Sequence, residues 1–193
     1  VQIIKYPHPT LRHKSKPLCK VDVGIRAMVG EMFDLMYTNK GVGLAANQVD
    51  LPYRLIVVNP EGDAAAKDDE YVFINPVITK RSGLAEHDEG CLSLPELFAP
   101  VKRPEKIVVN AYTLAGEEIN WELDGFLARV VQHECDHLDG ILFIDRLSEA
   151  NLLKLKRDLE DLEVAFFGER ERGTIPDDAC IAERLSQLEA ART

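Results

Sequence analysis

No apolar run in this chain approaches the roughly 18 residues that a membrane-spanning helix requires. A helical membrane protein is therefore excluded, and no membrane partner is expected. Basic residues are outnumbered: 23 Lys and Arg stand against 33 Asp and Glu, for a formal net charge of −10 and a sequence pI near 5.0. A dedicated nucleic-acid binder would show the opposite balance or a basic stripe. Cysteine is sparse and scattered, at Cys19, Cys91, Cys135 and Cys180. That spacing offers no disulfide framework and fits a reducing, cytoplasmic setting. The opening residues, Val1-Gln2-Ile3-Ile4-Lys5, carry neither a secretory nor a transit pattern, and they leave open whether a Met or a longer leader precedes them. There is no internal repeat and no low-complexity tract.

What is present suits one globular unit. Hydrophobic residues make up 46% of the 193, enough for a core without staples. Val23, Ile25, Met28, Val29, Met32, Phe33, Leu35 and Met36 recur at helical spacing. Asp22 is placed to cap that helix, and Asn39-Lys40-Gly41 to end it, with Lys40 in the last turn and Gly41 just beyond. The middle reads as strands, at 54–59, 71–81, 106–114 and 117–123, rich in Val, Ile and Tyr and broken by Gly, Pro and Asp. A second helix is predicted over 124–138 and a third over 148–167, the latter closed by Gly168. Residues 168–177 read as a polar linker, and Ile181, Leu185 and Leu188 as a short amphipathic helix. Helices at both ends of a strand-rich middle, packed around the helix that carries the motif below, make an α+β architecture. The expected division is a catalytic unit at 1–167 and a C-terminal extension at 168–193.

The chemistry begins at His133-Glu134-Cys135-Asp136-His137, an HExxH sequence. Four helical residues turn through about 400°, so the two imidazoles share a face where they can grip one metal ion, with Glu134 in reach of a water beside it. Two histidines do not complete a catalytic centre, which takes a third protein ligand. Cys91, Cys135, Cys19, Cys180, His87, His8, His13 and several carboxylates are the candidates. Cys135, about 200° around the helix from His133, reads as a small buried apolar residue. Cys91 stands in a tight run, Glu89-Gly90-Cys91-Leu92-Ser93, where the alternatives are a held thiolate and a plain buried thiol. A conventional endopeptidase with this motif would use a His or Glu as third ligand, usually from downstream, where no His follows His137 but Glu149 and other carboxylates remain.

Three short motifs in one order resemble those of the peptide deformylases: Gly41-Val42-Gly43-Leu44-Ala45-Ala46-Asn47-Gln48, then Glu89-Gly90-Cys91-Leu92-Ser93, then Gln132-His133-Glu134-Cys135-Asp136-His137. The likeness also takes in Tyr6-Pro7-His8-Pro9-Thr10-Leu11-Arg12 and Leu138-Asp139-Gly140, and covers about residues 1–165. The resemblance implies an α+β fold and removal of the formyl group from the N-terminal methionine of nascent proteins, with release of formate. It implies that Cys91, His133 and His137 ligate the metal and that Glu134 is the general acid/base. Gln48 and the Leu92 backbone N–H would face the oxyanion. The metal it implies is ferrous iron in cells, with zinc, nickel or cobalt as substitutes. N-formylmethionyl nascent peptides are the implied partners.

Further expectations attach to neighbouring residues. Val42, Gly43, Leu44, Leu92, Phe126, Val130 and His133 are candidates for the methionine pocket, and Gly90 for substrate binding. Gly43 would let a peptide backbone pair there as an added strand. The plainer reading of the glycines is a tight turn at Gly41 and close packing at Gly43. Glu89 and Arg103 are read either as an ion pair holding the Cys91 loop or as separate surface charges. Arg129 and Asp136 share the metal helix, Asp136 either as a capping or imidazole-orienting group or as a solvated charge. His87 is a surface residue or a substrate contact. Lys154, Lys156 and Arg157 on the third helix are candidates for transient ribosome contact, against the plainer reading of a solvated face.

Overall fold

The computed structural model describes residues 2–193. Helix α1 (Val23–Thr38) leads into a short strand β1 (Gly43–Ala45), a 3-10 turn at Ala46–Val49, and strand β2 (Leu55–Val58). Strands β3 (Tyr71–Ser82), β4 (Ala85–Cys91), β5 (Leu94–Arg103), β6 (Lys106–Tyr112) and β7 (Glu118–Asp124) follow. Helices α2 (Gly125–Leu138), α3 (Glu149–Glu171) and α4 (Asp178–Arg192) complete the chain. The strands form an antiparallel five-stranded sheet in the order β1-β2-β3-β6-β7 and a separate β4-β5 hairpin. This is the α+β architecture expected. No helix among the described residues is long and apolar enough to cross a membrane.

The period of two along β1 and β2 divides the core. Leu44, Leu55 and Val57 face α1 and pack with Ile25, Met32 and Met36. Ala45, Ile56 and Val58 face the other way and pack with Val130, Val131, Cys135 and Leu138 of α2. A third cluster joins Leu94, Leu97 and Val101 of β5 to Phe143, Leu155 and Leu159. Helix α2 thus lies between the large sheet and the hairpin and is buried from Ala128 to Leu138.

Several boundaries differ from the expected ones. Strands β1, β4 and β5 lie outside the expected ones: β1 is three residues long, β4 is mostly polar, and β5 carries two prolines, Pro95 and Pro100. Asp22 does cap α1, accepting from Ile25 N–H at 2.9 Å. The helix ends at Thr38, and the left-handed residue beyond it is Lys40 (φ 56), not Gly41. Helix α3 passes through Gly168 to Glu171, and the glycine that stops it is Gly173 (φ 75), where Thr174 N–H closes on Glu169 C=O at 3.0 Å. Helix α2 ends in the same fashion. Ile141 N–H donates to Asp136 C=O, Gly140 takes φ 74, and a side chain at Gly140 would collide with Arg12 C=O 2.5 Å away.

Candidate active site

The three candidate ligands converge although they come from two elements. His133 and His137 project from one face of α2, their rings 5.0 Å apart. Cys91 ends β4, at the tight turn where its partner is Leu94 and the hairpin register shifts after Gly90. Cys91, His133 and His137 each present a donor atom within 4.8 Å of the others, and Cys91 Sγ lies 3.2 Å from His137 Nε2. Cys135 instead faces the apolar core, where burial pushes its thiol up to about 12. Cys19 and Cys180 are exposed free thiols away from this group.

The electrostatics of the cluster suit a cation. Burial and the nearby His133 hold His137 well below the ordinary imidazole range, so it stays neutral, the form that ligates metal. Burial would also lower His133, but hydrogen bonds with Cys91 and Glu89 outweigh it and raise the imidazole to about 10. The same partners, Cys91 and Glu89, favour positive charge at this point of the cluster, as a bound cation would supply. The donor set and this preference for positive charge both fit a divalent metal.

Glu134 stands on the next position of α2. Burial, opposed by His133 and Arg103, raises its carboxyl to about 7, and its Oε2 has no hydrogen-bond partner among the described residues. A buried, unpartnered carboxyl with a pKa near neutrality is poised to exchange a proton. Gln48, in the 3-10 turn after β1, is almost fully buried. Its Oε1 accepts from Ala45 N–H at 2.8 Å, which turns Nε2 toward Cys91 Sγ at 3.4 Å and Ser93 Oγ at 3.2 Å.

A buried ionic network lies behind the ligands. Arg103 clamps Glu89 with two bonds of 2.6 and 2.8 Å, Arg129 adds one of 2.7 Å, and His133 Nδ1 lies 3.0 Å from Glu89 Oε2. Those partners outweigh the burial of Glu89 and hold its carboxyl well below the usual range. The network therefore bears out the Glu89–Arg103 pair and extends it to Arg129. Asp136 does not orient an imidazole: it binds Arg103 Nη1 at 2.7 Å and also Arg146. The imidazole is oriented by Glu89, which leaves His133 Nε2 for the metal side. The sequence held only a partial signal, the nearness of Glu89 to Cys91, because the strand that carries both was not legible. Asn47, whose amide donates to His137 C=O and so ties the Gln48 turn to α2, had no comparable signal.

A cleft of about 560 Å³ opens over this group, lined by Val42, Gly43, Gly90, Leu92, Phe126 and Val130 together with Gln48, Cys91, His133 and Glu134. Leu44 is the exception among the expected pocket residues. Its side chain points across β1 into the α1 cluster, the face opposite to Gly43. Gly41 is not a left-handed turn; a Cβ there would meet Leu92 Cδ1 at 2.7 Å. His87 is exposed and lines a neighbouring groove with Asp88, Phe126 and Arg129, which favours the surface reading.

The profile of one family, described as polypeptide deformylase, matches residues 1–152. The chain belongs to the polypeptide deformylase family. Its members are metal-dependent hydrolases that remove the N-formyl group from nascent peptides, and this chain is one of those enzymes. It is 47% identical over 193 residues to a peptide deformylase of Rhodopirellula baltica, a match covering 100% of this chain and 96% of that protein. The crystal structure of Arabidopsis thaliana peptide deformylase 1B in complex with an inhibitor superposes with a TM-score of 0.84 at 40% identity, covering 92% of this chain and 97% of that one. A Plasmodium falciparum peptide deformylase does so with a TM-score of 0.85 at 36% identity, over 86% of this chain and 98% of that one. The family profile stops before most of α3 and all of α4, whereas the Rhodopirellula match runs through both. In this deformylase, then, Cys91, His133, Glu134 and Gln48 line one cleft.

Proposed function

We propose that Cys91, His133 and His137 hold the metal, that Glu134 is the general acid/base, and that Gln48 and the Leu92 N–H receive the oxyanion. The observation that carries this reading is convergence: Gln48 Nε2 lies 3.4 Å from Cys91 Sγ in the three-donor cluster, and Glu134, its buried Oε2 without a partner among the described residues, lines the same cleft. A divalent metal there supplies a Lewis acid that polarises the formyl carbonyl and acidifies water. Glu134 takes the proton from the attacking water and returns it to the amine as the carbon–nitrogen bond breaks. Gln48 Nε2–H and the Leu92 N–H donate to the oxygen that gains charge, each worth about 3 kcal/mol in such sites. The products are formate and a free methionine amine.

The methionine side chain is assigned to the apolar part of the cleft, against Val42, Gly43, Gly90, Phe126 and Val130. Strand β1 is an edge of its sheet, which supports pairing of the substrate backbone there, Leu44 contributing main chain only. Ferrous iron is assigned as the metal in cells, with zinc, nickel or cobalt as substitutes, a choice the thiolate and two imidazoles allow. The substrates are N-formylmethionyl nascent chains, met in the cytoplasm, a setting that the free cysteines support. Transient docking on the ribosome is assigned to α3, which leaves Leu153, Lys154, Lys156 and Arg157 exposed.

Replacement of Glu134 by Gln tests the reading. Metal content should stay at the wild-type level while formate release from formyl-Met-Ala-Ser falls by roughly 10²–10⁴-fold. Retained turnover in Glu134→Gln sinks the mechanism. Cleavage of internal peptide bonds without formate release would point to an endopeptidase instead.

A further inference from the structure

The N-terminal segment runs along the seam between the two elements that the preceding reading assigns to the oxyanion. Ile4 N–H donates to Gln48 C=O at 2.8 Å, and Tyr6 N–H donates to Ser93 C=O at 2.9 Å. Between them, the Lys5 ammonium donates to Leu92 C=O at 2.8 Å, and its side chain forms part of the cleft lining. Three consecutive residues thereby stitch the Gln48 turn to the turn between Cys91 and Leu94. Gln48 Nε2, in contact with Ser93 Oγ at 3.2 Å, joins the same two elements from inside. The segment itself is anchored, with Ile4 in the third core cluster and Tyr6 Oη donating to Glu163 of α3 at 2.8 Å.

The two backbone bonds do not depend on side-chain identity. The Lys5 bond does. A lysine at the surface ordinarily keeps its ammonium in water, but this one is directed to a backbone carbonyl inside a two-residue turn, at the residue whose N–H faces the reacting oxygen. A charged donor on a carbonyl is stronger than a neutral one. The Leu92 C=O and N–H lie in successive peptide planes joined by only two soft dihedrals, so in a two-residue turn held at both ends a fixed C=O narrows the directions open to the N–H.

We propose that Lys5 is a positioning residue for the oxyanion donors. By holding the Leu92 carbonyl it sets the direction of the Leu92 N–H and its spacing from Gln48 Nε2. In this role Lys5 does not touch the substrate and does not ligate the metal. The inference rests on the assignment of Gln48 and Leu92 as oxyanion donors.

The test uses the full chain loaded with metal and formyl-Met-Ala-Ser as substrate. Lys5→Met keeps the stem and removes the donor, and Lys5→Arg keeps a cationic donor. Lys5→Met should lower kcat about tenfold, the size of one charged hydrogen bond felt in the transition state. KM, metal content and Tm should stay at wild-type values, and Lys5→Arg should recover most of the loss. An unchanged kcat in Lys5→Met overturns the proposal. So does a raised KM at constant kcat, which would make Lys5 a substrate contact, and so does a lower metal content, which would make it a support of Cys91. If Lys5→Met is unstable, Lys5→Leu, which also lacks a donor, is read by the same criteria. Gln48→Ala, assayed alongside, separates the two levels. Wild-type kcat in Gln48→Ala removes the underlying assignment, whereas a low kcat there with a normal one in Lys5→Met removes only the role of Lys5.

Discussion

A methyl group at Gly43 would fall 2.5 Å from Glu134 Oε1 and 2.8 Å from Val130 Cγ1. The backbone of Gly43 has no need of glycine's left-handed freedom, since its φ is not positive. The residue is small because the carboxylate of the neighbouring helix uses that space. Gly43→Ala is therefore expected to displace Glu134 and lower kcat by roughly 10²-fold, as misplacement by about 1 Å does elsewhere. A steady-state assay with a matching metal content checks this, and wild-type kcat would show that the carboxylate has room to retreat. Glu89 makes a second prediction at this scale. It lies between two buried guanidiniums, so Glu89→Gln leaves positive charge uncompensated and should cost about 3–5 kcal/mol in chemical denaturation. Because the folded-state pKa of Glu89 lies below its unfolded value, its contribution is present above the ordinary carboxylate pKa and is lost as pH falls through and below that range. Wild-type protein should lose stability on acidification more steeply than Glu89→Gln. Parallel Tm-versus-pH curves for the two would remove Glu89 from the account.

Among the elements, α4 gives the extension at 168–193 a physical role. Ile181 and Leu185 are buried, and Glu189 binds His13 at 2.7 Å and Lys16 at 2.6 Å. Arg192 reaches the cap of α1 at Asp22, 2.7 Å away, and Tyr53 Oη donates to Leu188 C=O at 3.1 Å. Arg184 pairs with Asp50, which also accepts from Thr10 Oγ1 at 2.5 Å and follows directly on the Gln48 turn. The helix clasps the N-terminal segment from outside, and that segment braces the cleft. Truncation after Arg172 should lower stability by about 2–3 kcal/mol, or roughly 4–12 °C in Tm. Calorimetry of the truncated chain decides: an unchanged Tm would make α4 a passive appendage. The amphipathic spacing of Ile181, Leu185 and Leu188 was legible from the sequence, but the surface they cover was not. Helical periodicity names a buried face and says nothing of its partner.

At the scale of the molecule, the site is where the hairpin meets the large sheet. Cys91 belongs to β4, Gln48 follows β1, and the histidines belong to the helix between them. A metal held as proposed on Cys91, His133 and His137 would link two layers, and its binding energy would add to folding stability. Chelation should lower Tm, and metal at about 100 times its Kd should raise the stability of the stripped protein by about 2.7 kcal/mol. Differential scanning calorimetry with and without metal checks the sign; a Tm indifferent to metal would place the ion elsewhere or show that it binds the unfolded chain equally well. With iron as the metal, the Cys91 thiolate and the ion are both oxidisable, and air exposure should inactivate the iron form while the zinc form persists.

The local rules of the chain carried a large part of this result. Helical spacing put His133, Glu134 and His137 in one register, Asp22 marked the start of α1, and three motifs in order identified the family. The helix register and the cap depend on residues close together in sequence, where backbone geometry alone sets the distances, and the family on the resemblance of the motifs. Tertiary structure decided what those rules cannot reach. It turned Leu44 into the core and left Gly43 in the cleft, made Glu89 and not Asp136 the partner of His133, and brought Lys5 to Leu92. It also folded α4 back on the N-terminal segment. Each of those contacts joins residues far apart in the chain, and their pairing follows from how buried charge and apolar faces are satisfied once the layers have packed.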